Sequence, residues 1–305
     1  MTGALRSSTQ AQLDFRRMTS ELSSLQQQIA SGAKADDLQG FGGASARLLS
    51  ARNLMASTDA RGAVISQLDA RFGVQGAALG QVSNAARLLA QSIRDAVSGD
   101  DGRGINIELD LSFSSIVGAL NETWNGQPLF AGERQGAAPI KVKSLAELQA
   151  VVTPDDLFDE AARRQTIDLG SGAPLELAAK ASELSQGLFN TLADLKDMLD
   201  ASGGSIGQPI SGAQMDQLLN IVGRLDSEAA TFTAEEGRIG QVQKRLQDDR
   251  ARLQARSDLL TKEIGEQADS DLGEVSVRLS ALMVQYQAAA KTFADLSNLS
   301  LLDYL

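Results

Sequence analysis

Chemistry needs groups that trade protons, attack carbon or hold metal, and this chain is short of them. It contains no histidine and no cysteine. Serine–histidine nucleophilic catalysis, imidazole acid–base work and imidazole or thiolate metal sites are therefore excluded, as are disulfides. Carboxylate pairs remain, at Asp36-Asp37, Asp100-Asp101 and Asp155-Asp156. Each falls in a turn or a first helical turn, where acids cap helices and complement their dipoles. The run from Asp100 lacks the oxygen-ligand spacing of a calcium loop. Gly40-Phe41-Gly42-Gly43 has no strand before it and no Lys-Ser/Thr after it, so it is not a phosphate cradle. Trp124 reads as a packing anchor at a helix end, and Asn121-Glu122-Thr123 is a glycosylation sequon of a kind common by chance. These residues point to no active site and to no cofactor.

The patterned chemistry is apolar, and it sits at the two ends. Val275, Leu279, Leu282, Tyr286, Ala289, Phe293 and Leu296 alternate spacings of four and three, a heptad stripe that lays one narrow apolar seam along a helix. Asp271 with Glu274 three residues on marks its start, and the chain runs out on Leu301-Leu302-Asp303-Tyr304-Leu305. Phe15, Met18, Leu22, Leu25 and Ile29 repeat the spacing near the N-terminus, with Leu5 continuing it upstream. A seam this narrow needs a partner helix. The two end helices are expected to lie antiparallel if they pair within one molecule; otherwise each packs separately on the body. An end that is apolar to Tyr304 and Leu305 is expected to be buried in something, other copies included.

Composition narrows the partners. The net charge of −11 speaks against nucleic acid and anionic membrane, since phosphate binding rests on clustered Lys and Arg. Aromatics make up only 4 % of residues, which favours thin helices with small interface residues over one thick core. No window has eighteen consecutive apolar residues, so no membrane span is expected. Met1 to Gln12 lacks the apolar stretch of a secretory signal; export would need another route.

The elements that carry the seams follow from the same periodicities. After the first helix comes a loop over Ser31–Asp37, then a helix from about Ser45 to Val97 in which glycines 62, 73, 76 and 80 predict bends or close helix contacts. A further helix carries Ile105, Leu109, Phe113, Ile116, Leu120 and Trp124. Residues 126–176 read as a small strand–helix–helix–strand insertion. Its strands are expected at Ile140–Lys143 and Thr166–Leu169, and its helix starts at Ser144 with Glu147 and at Thr153-Pro154 with Asp156. Helical spacing resumes at Leu177. Ser211 and Gln214 then cap the longest helix, which runs to Ile264 and would be roughly 80 Å long. The expected fold is mainly α: an elongated antiparallel helical bundle or coiled coil built from the N- and C-terminal flanks, with a small α/β insertion. Residues 1–43 and 269–305 are the terminal coiled-coil helices, 44–125 and 177–268 the helical rod, and 126–176 an outer insertion.

This organisation resembles the flagellin superfamily over both flanks. The likeness rests on Gln27-Gln28-Ile29-Ala30-Ser31-Gly32, Gly237-Arg238-Ile239-Gly240 with Arg245-Leu246, and the block Leu299 to Leu305. The Asp-Tyr-Leu ending and Leu129-Phe130-Ala131-Gly132 are similar to hook–filament junction members rather than filament flagellins. The first loop has Ala35-Asp36-Asp37-Leu38 where the family commonly has a Pro-Ser-Asp-Asp-Pro-like stretch. The resemblance implies a structural, non-enzymatic subunit of the bacterial flagellum, exported unfolded without a cleaved signal peptide. It implies self-association through the terminal helices, contacts with hook-associated protein 1 and flagellin, and an export chaperone on the C-terminal helix. A filament flagellin and a cytoplasmic coiled-coil scaffold are the alternatives.

Overall fold

The computed structural model describes the backbone of residues 2–169 and 174–302, and side-chain exposure for residues 13–292 apart from 155 and 170–173. The fold is mainly α, with long helices and two small antiparallel sheets. Helix α1 spans Thr2–Ser31, α2 Ser45–Gly99, α3 Ile105–Leu120, α6 Ala181–Ala201, α7 Gly212–Ala268 and α8 Leu272–Leu302. Two short helices, α4 at Leu145–Gln149 and α5 at Pro154–Leu157, belong to the insertion. Strands β1 (Thr123–Trp124), β2 (Gln127–Pro128), β3 (Thr166–Ile167) and β4 (Leu175–Glu176) pair as β1–β2 and β3–β4. The chain forms two compact units, Met1–Ala60 with Leu253–Leu305, and Arg61–Arg252.

The second unit is a packed helical core. Phe72, Leu79, Val82, Ala86, Leu89 and Ile93 on α2 are fully buried, as are Leu109 and Ile116 on α3, Leu188, Phe189 and Leu192 on α6, and Leu218, Leu225 and Phe232 on α7. These are the apolar positions of amphipathic helices turned to one interior. Phe113 and Phe189 meet edge-on across α3 and α6, with centroids 6.2 Å apart. Ser83 donates to the Ala229 carbonyl at 3.0 Å, and Gln243 reaches Asp69 at 3.2 Å, so α2 and α7 run antiparallel. Helix α2 continues through glycines 62, 73, 76 and 80. Three of them lie against α7, where a methyl would meet Gln243, Ile239 and Glu236 at 3.6–3.8 Å. They are close helix contacts with room to spare.

The structure departs from the expected outline in three places, two of them with an evident local cause. Helix α3 stops at Leu120 and Trp124 lies instead in hairpin β1–β2. Asn125 and Gly126 both take positive φ, 51° and 75°, the conformation a two-residue primed turn requires. Ile140–Lys143 makes a single bridge to Phe158 rather than a strand. The Ile140 N–H donates to Asn121 Oδ1 at 2.8 Å and its carbonyl accepts from Asn121 Nδ2 at 3.2 Å, so a side chain satisfies what a second strand would have. The alternation still decides burial: Ile140 and Val142 are inside, Lys141 and Lys143 outside. Thirdly, Leu175–Glu176 pairs with Thr166–Ile167 as β4, and α6 begins only at Ala181.

Leu129, Phe130 and Ala131 are buried and hold the insertion to the start of α6. The Phe130 carbonyl accepts from Ala181 N and the Ala131 carbonyl from Ala161 N, both at 2.9 Å. Glu160, between them, accepts from Lys180 Nζ at 3.0 Å and from Ser182 N at 3.1 Å.

Candidate assembly surface

Helices α1 and α8 pack together antiparallel. Leu25, Val275 and Leu282 form their buried core, with Met18, Leu22 and Leu279 packed against it. Phe15 and Tyr286 extend the contact, with ring centroids 4.7 Å apart and planes tilted by 33°. Ile29 stays 36 % exposed at the far end of the row. The side chains of Leu5, Phe293, Leu296, Leu301 and Leu302 lie outside the described residues, as do Tyr304 and Leu305 altogether.

The pair is fastened where α1 ends and α8 begins. Gly32 takes a left-handed φ of 72°, the usual way a helix C-terminus turns its chain away, and its N–H reaches back to the Gln28 carbonyl at 2.9 Å. The segment then bridges to the α7–α8 connection. Ser270 N donates to the Gly32 carbonyl and Lys34 N to the Ala268 carbonyl, each at 2.8 Å. Lys34 Nζ donates to the Glu266 carbonyl at 2.7 Å and to that of Gln267 at 3.3 Å. A cation on the last carbonyls of α7 satisfies orphan acceptors and complements the helix dipole. Asp271 then caps α8, its Oδ1 accepting from Gly273 N at 2.9 Å and from Glu274 N at 3.1 Å.

The outward side of α8 is also apolar. Val277 is 72 % exposed and Val284 66 %, and Ala281 and Ala288 complete an exposed row with them. On α1 the outward side is polar and small, with a shallow concavity lined by Arg16, Thr19, Ser20, Ser23, Ser24 and Gln27. Sequence reasoning missed both Lys34 and the Val277 row. The row has heptad spacing too, two residues out of phase with the first, but alternates Val with Ala and so gives a faint signal.

Among the carboxylates and the sequon, Asp37, Asp100, Asp101 and Asn121 are tied into structure. Asp37 Oδ1 accepts from Gly40 N, and Asp100 Oδ1 from Ile210 N, both at 2.8 Å. The side-chain hydrogen bond from Arg103 holds the Asp101 carboxyl down at about 2. Asn121 of the sequon spends both ends of its amide on Ile140. Among the described residues, no three His, Cys, Asp or Glu side chains gather as metal ligands, and no helix is long and apolar enough to cross a membrane.

Comparison with known proteins sharpens this picture. Residues 222–305 match the family model of the bacterial flagellin C-terminal helical region, which covers the later part of α7 and all of α8. Curated proteins give no sequence match. Among solved structures, a Vibrio parahaemolyticus protein described as a flagellar hook-associated protein superposes with a TM-score of 0.59 at 19 % identity, covering 76 % of this chain and 99 % of its own. FlgL of Bacillus cereus superposes with a TM-score of 0.51 at 12 % identity, covering 66 % of this chain and 98 % of its own. At such identities the likeness is one of fold. Over residues 222–305 the chain thus resembles the bacterial flagellin C-terminal helical region, and its fold is one shared with flagellar hook-associated proteins.

Proposed function

We propose that this chain is a structural subunit of the bacterial flagellum that serves as an adapter at the hook–filament junction, in the manner of hook-associated protein 3. The observation that carries the reading is the flagellin C-terminal match over residues 222–305, because its last helix is the one that pairs with the chain's own first helix. The terminal regions 1–43 and 269–305 act in assembly, 44–125 and 177–268 form the rod, and 126–176 faces outward. Side chains of the heptad seam, from Leu5 through Ile29 and from Val275 through Leu305, build the terminal helices' contacts. The exposed Val277 row offers the adjoining subunit an apolar face whose burial is favourable by about 25 cal/mol per Å². Partners on this reading are further copies, hook-associated protein 1, flagellin, and an export chaperone on the C-terminal helix before secretion without a cleaved signal peptide.

The filament-flagellin alternative draws on the same C-terminal match, whereas the two solved neighbours support the junction. Deleting the gene separates the readings. An adapter predicts cells without filaments and with intact flagellin spilled into the medium. Normal filaments in the deletion strain would refute it, and normal secretion of another flagellin with no filament defect would leave the scaffold reading standing.

A further inference from the structure

The most exposed large aliphatic side chain in the described structure is Val152, at 88 %. It sits between α4 and α5 on a turn that is stiff for identifiable reasons. Pro154 opens α5 with its φ fixed, and Asp156 accepts from both Thr153 N and Thr153 Oγ1 at 2.9 Å. Asp156 is exposed, and those hydrogen bonds from Thr153, with a smaller pull from the Lys141 charge, keep its carboxyl below the ordinary range. An apolar knob that is held rigid and followed by acid loses little entropy on docking.

A socket of matching character lies in the same unit, between hairpin β3–β4 and α7. Leu169, Leu175, Val242 and Leu246 line a partly enclosed cavity of about 120 Å³, with Leu246 itself buried. This is far more than the ~15 Å³ that one water requires. Four charged side chains also line it. Arg238 is paired with Glu235, Asp249 with Arg252 and Glu176 with Arg164. Arg245 alone of the four is in no salt bridge among the described residues. The socket therefore has an apolar floor and one uncommitted cation.

The knob does not reach its own socket. Gln149 of α4 is bonded to Asp197 and Asp200 near the end of α6, whereas Arg164 ties the hairpin to Glu183 near its start. The interval between these anchors is about 20 Å along the helix. We propose that Val152 of one molecule enters the α7–hairpin socket of a second copy of this chain, with Asp156 facing Arg245. Because knob and socket are different surfaces, the contact is heterologous, and its repetition generates rings or open arrays rather than closed dimers. It involves neither α1 nor α8, so it stands apart from the terminal-helix reading. One side chain and its turn bury far less than the ~1,000 Å² of a stable interface, so the contact is weak in isolation and gains strength by repetition.

The absence of native cysteine makes the test clean. Full-length Val152→Cys and Val242→Cys chains are mixed under mild oxidation and dimers are read on non-reducing gels, after thermal melts show that both variants fold. The expected result is cross-linking about tenfold faster than in a mixture of Val152→Cys with Leu219→Cys, tenfold corresponding to about 1.4 kcal/mol. Adding Arg245→Glu to the socket chain should slow it to the control rate. Rates equal to the control, no cross-linking at any protein concentration, or a dominant Val152→Cys homodimer would each overturn the proposal.

Discussion

The rings of Phe15 and Tyr286 stand 4.7 Å apart, centroid to centroid, across the α1–α8 pair. They come from positions far apart in the chain and meet because α1 and α8 run antiparallel. Aromatic pairs at this distance contribute about 0.5–1.5 kcal/mol beyond the area they bury. A double-mutant cycle with Phe15→Ala and Tyr286→Ala should therefore show a coupling of about 1 kcal/mol in denaturant unfolding. Additive losses would mean that the rings are neighbours without being partners.

The inner and outer rows of α8 should separate stability from assembly. Leu282 is 8 % exposed and Val277 72 %. Leu282→Ala is expected to cost about 2–4 kcal/mol through lost burial and a residual cavity. Val277→Asp should stay within about 0.5 kcal/mol of the parent in the free chain, yet abolish incorporation into the appendage. Normal incorporation of the Asp variant would remove the outer row from the assembly surface.

The junction holding α1 to α8 depends on one backbone conformation and one cation. Gly32 at φ 72° disfavours a Cβ by about 1–2 kcal/mol, and Gly32→Ala should lower unfolding stability accordingly. Lys34→Met removes the donor to the Glu266 and Gln267 carbonyls and should cost about 0.3–1 kcal/mol, the scale of a helix-dipole partner. Hydrogen exchange at Gly265–Ser270 should quicken in the Lys34 variant; unchanged exchange would show that the cation carries no weight there.

The glycines of α2 that face α7 leave room for a methyl, with Ile239 3.8 Å from a side chain placed at Gly76. Gly76→Ala should raise the unfolding free energy by about 0.5–1 kcal/mol, because it removes freedom from the unfolded chain without a clash. Destabilisation would mean that the two helices approach more closely than these distances allow.

Glu228 supplies the pH dependence. Burial lifts its carboxyl above the ordinary range, with Arg224 pulling the other way. A raised folded-state value means that the folded chain holds this proton more tightly than the unfolded one. Stability falls as pH climbs through that window, and the penalty is complete above it. Glu228→Gln should therefore melt higher than the parent at neutral pH, with the gap closing below about pH 4, where the carboxylate is protonated in both states. A gap of equal size at both pH values would place its cause outside titration.

Much of this architecture shows in the bare sequence, for physical reasons. Large apolar residues such as Leu25 and Leu282 stand at heptad spacing among Ser, Gln and Thr, so their periodicity is plain. Capping pairs such as Ser211 with Gln214 are local and readable, and here they bond reciprocally at 3.0 and 3.3 Å. Lys34 could not be read, because a single loop lysine is indistinguishable from a solvated one until α7 comes to meet it. The β1–β2 hairpin was signalled by Asn125-Gly126, but strands of two residues carry too little alternation to register. Ile140 shows the opposite case. Its alternation was clear, and the missing strand followed from Asn121, nineteen residues upstream, taking up its backbone groups.

The central claim, that this chain is an adapter at one point of the flagellum, meets its most direct test in immunogold electron microscopy with antibody against the chain. The account predicts gold confined to the short zone where hook gives way to filament. Gold along the whole filament, or only inside the cell, would contradict it.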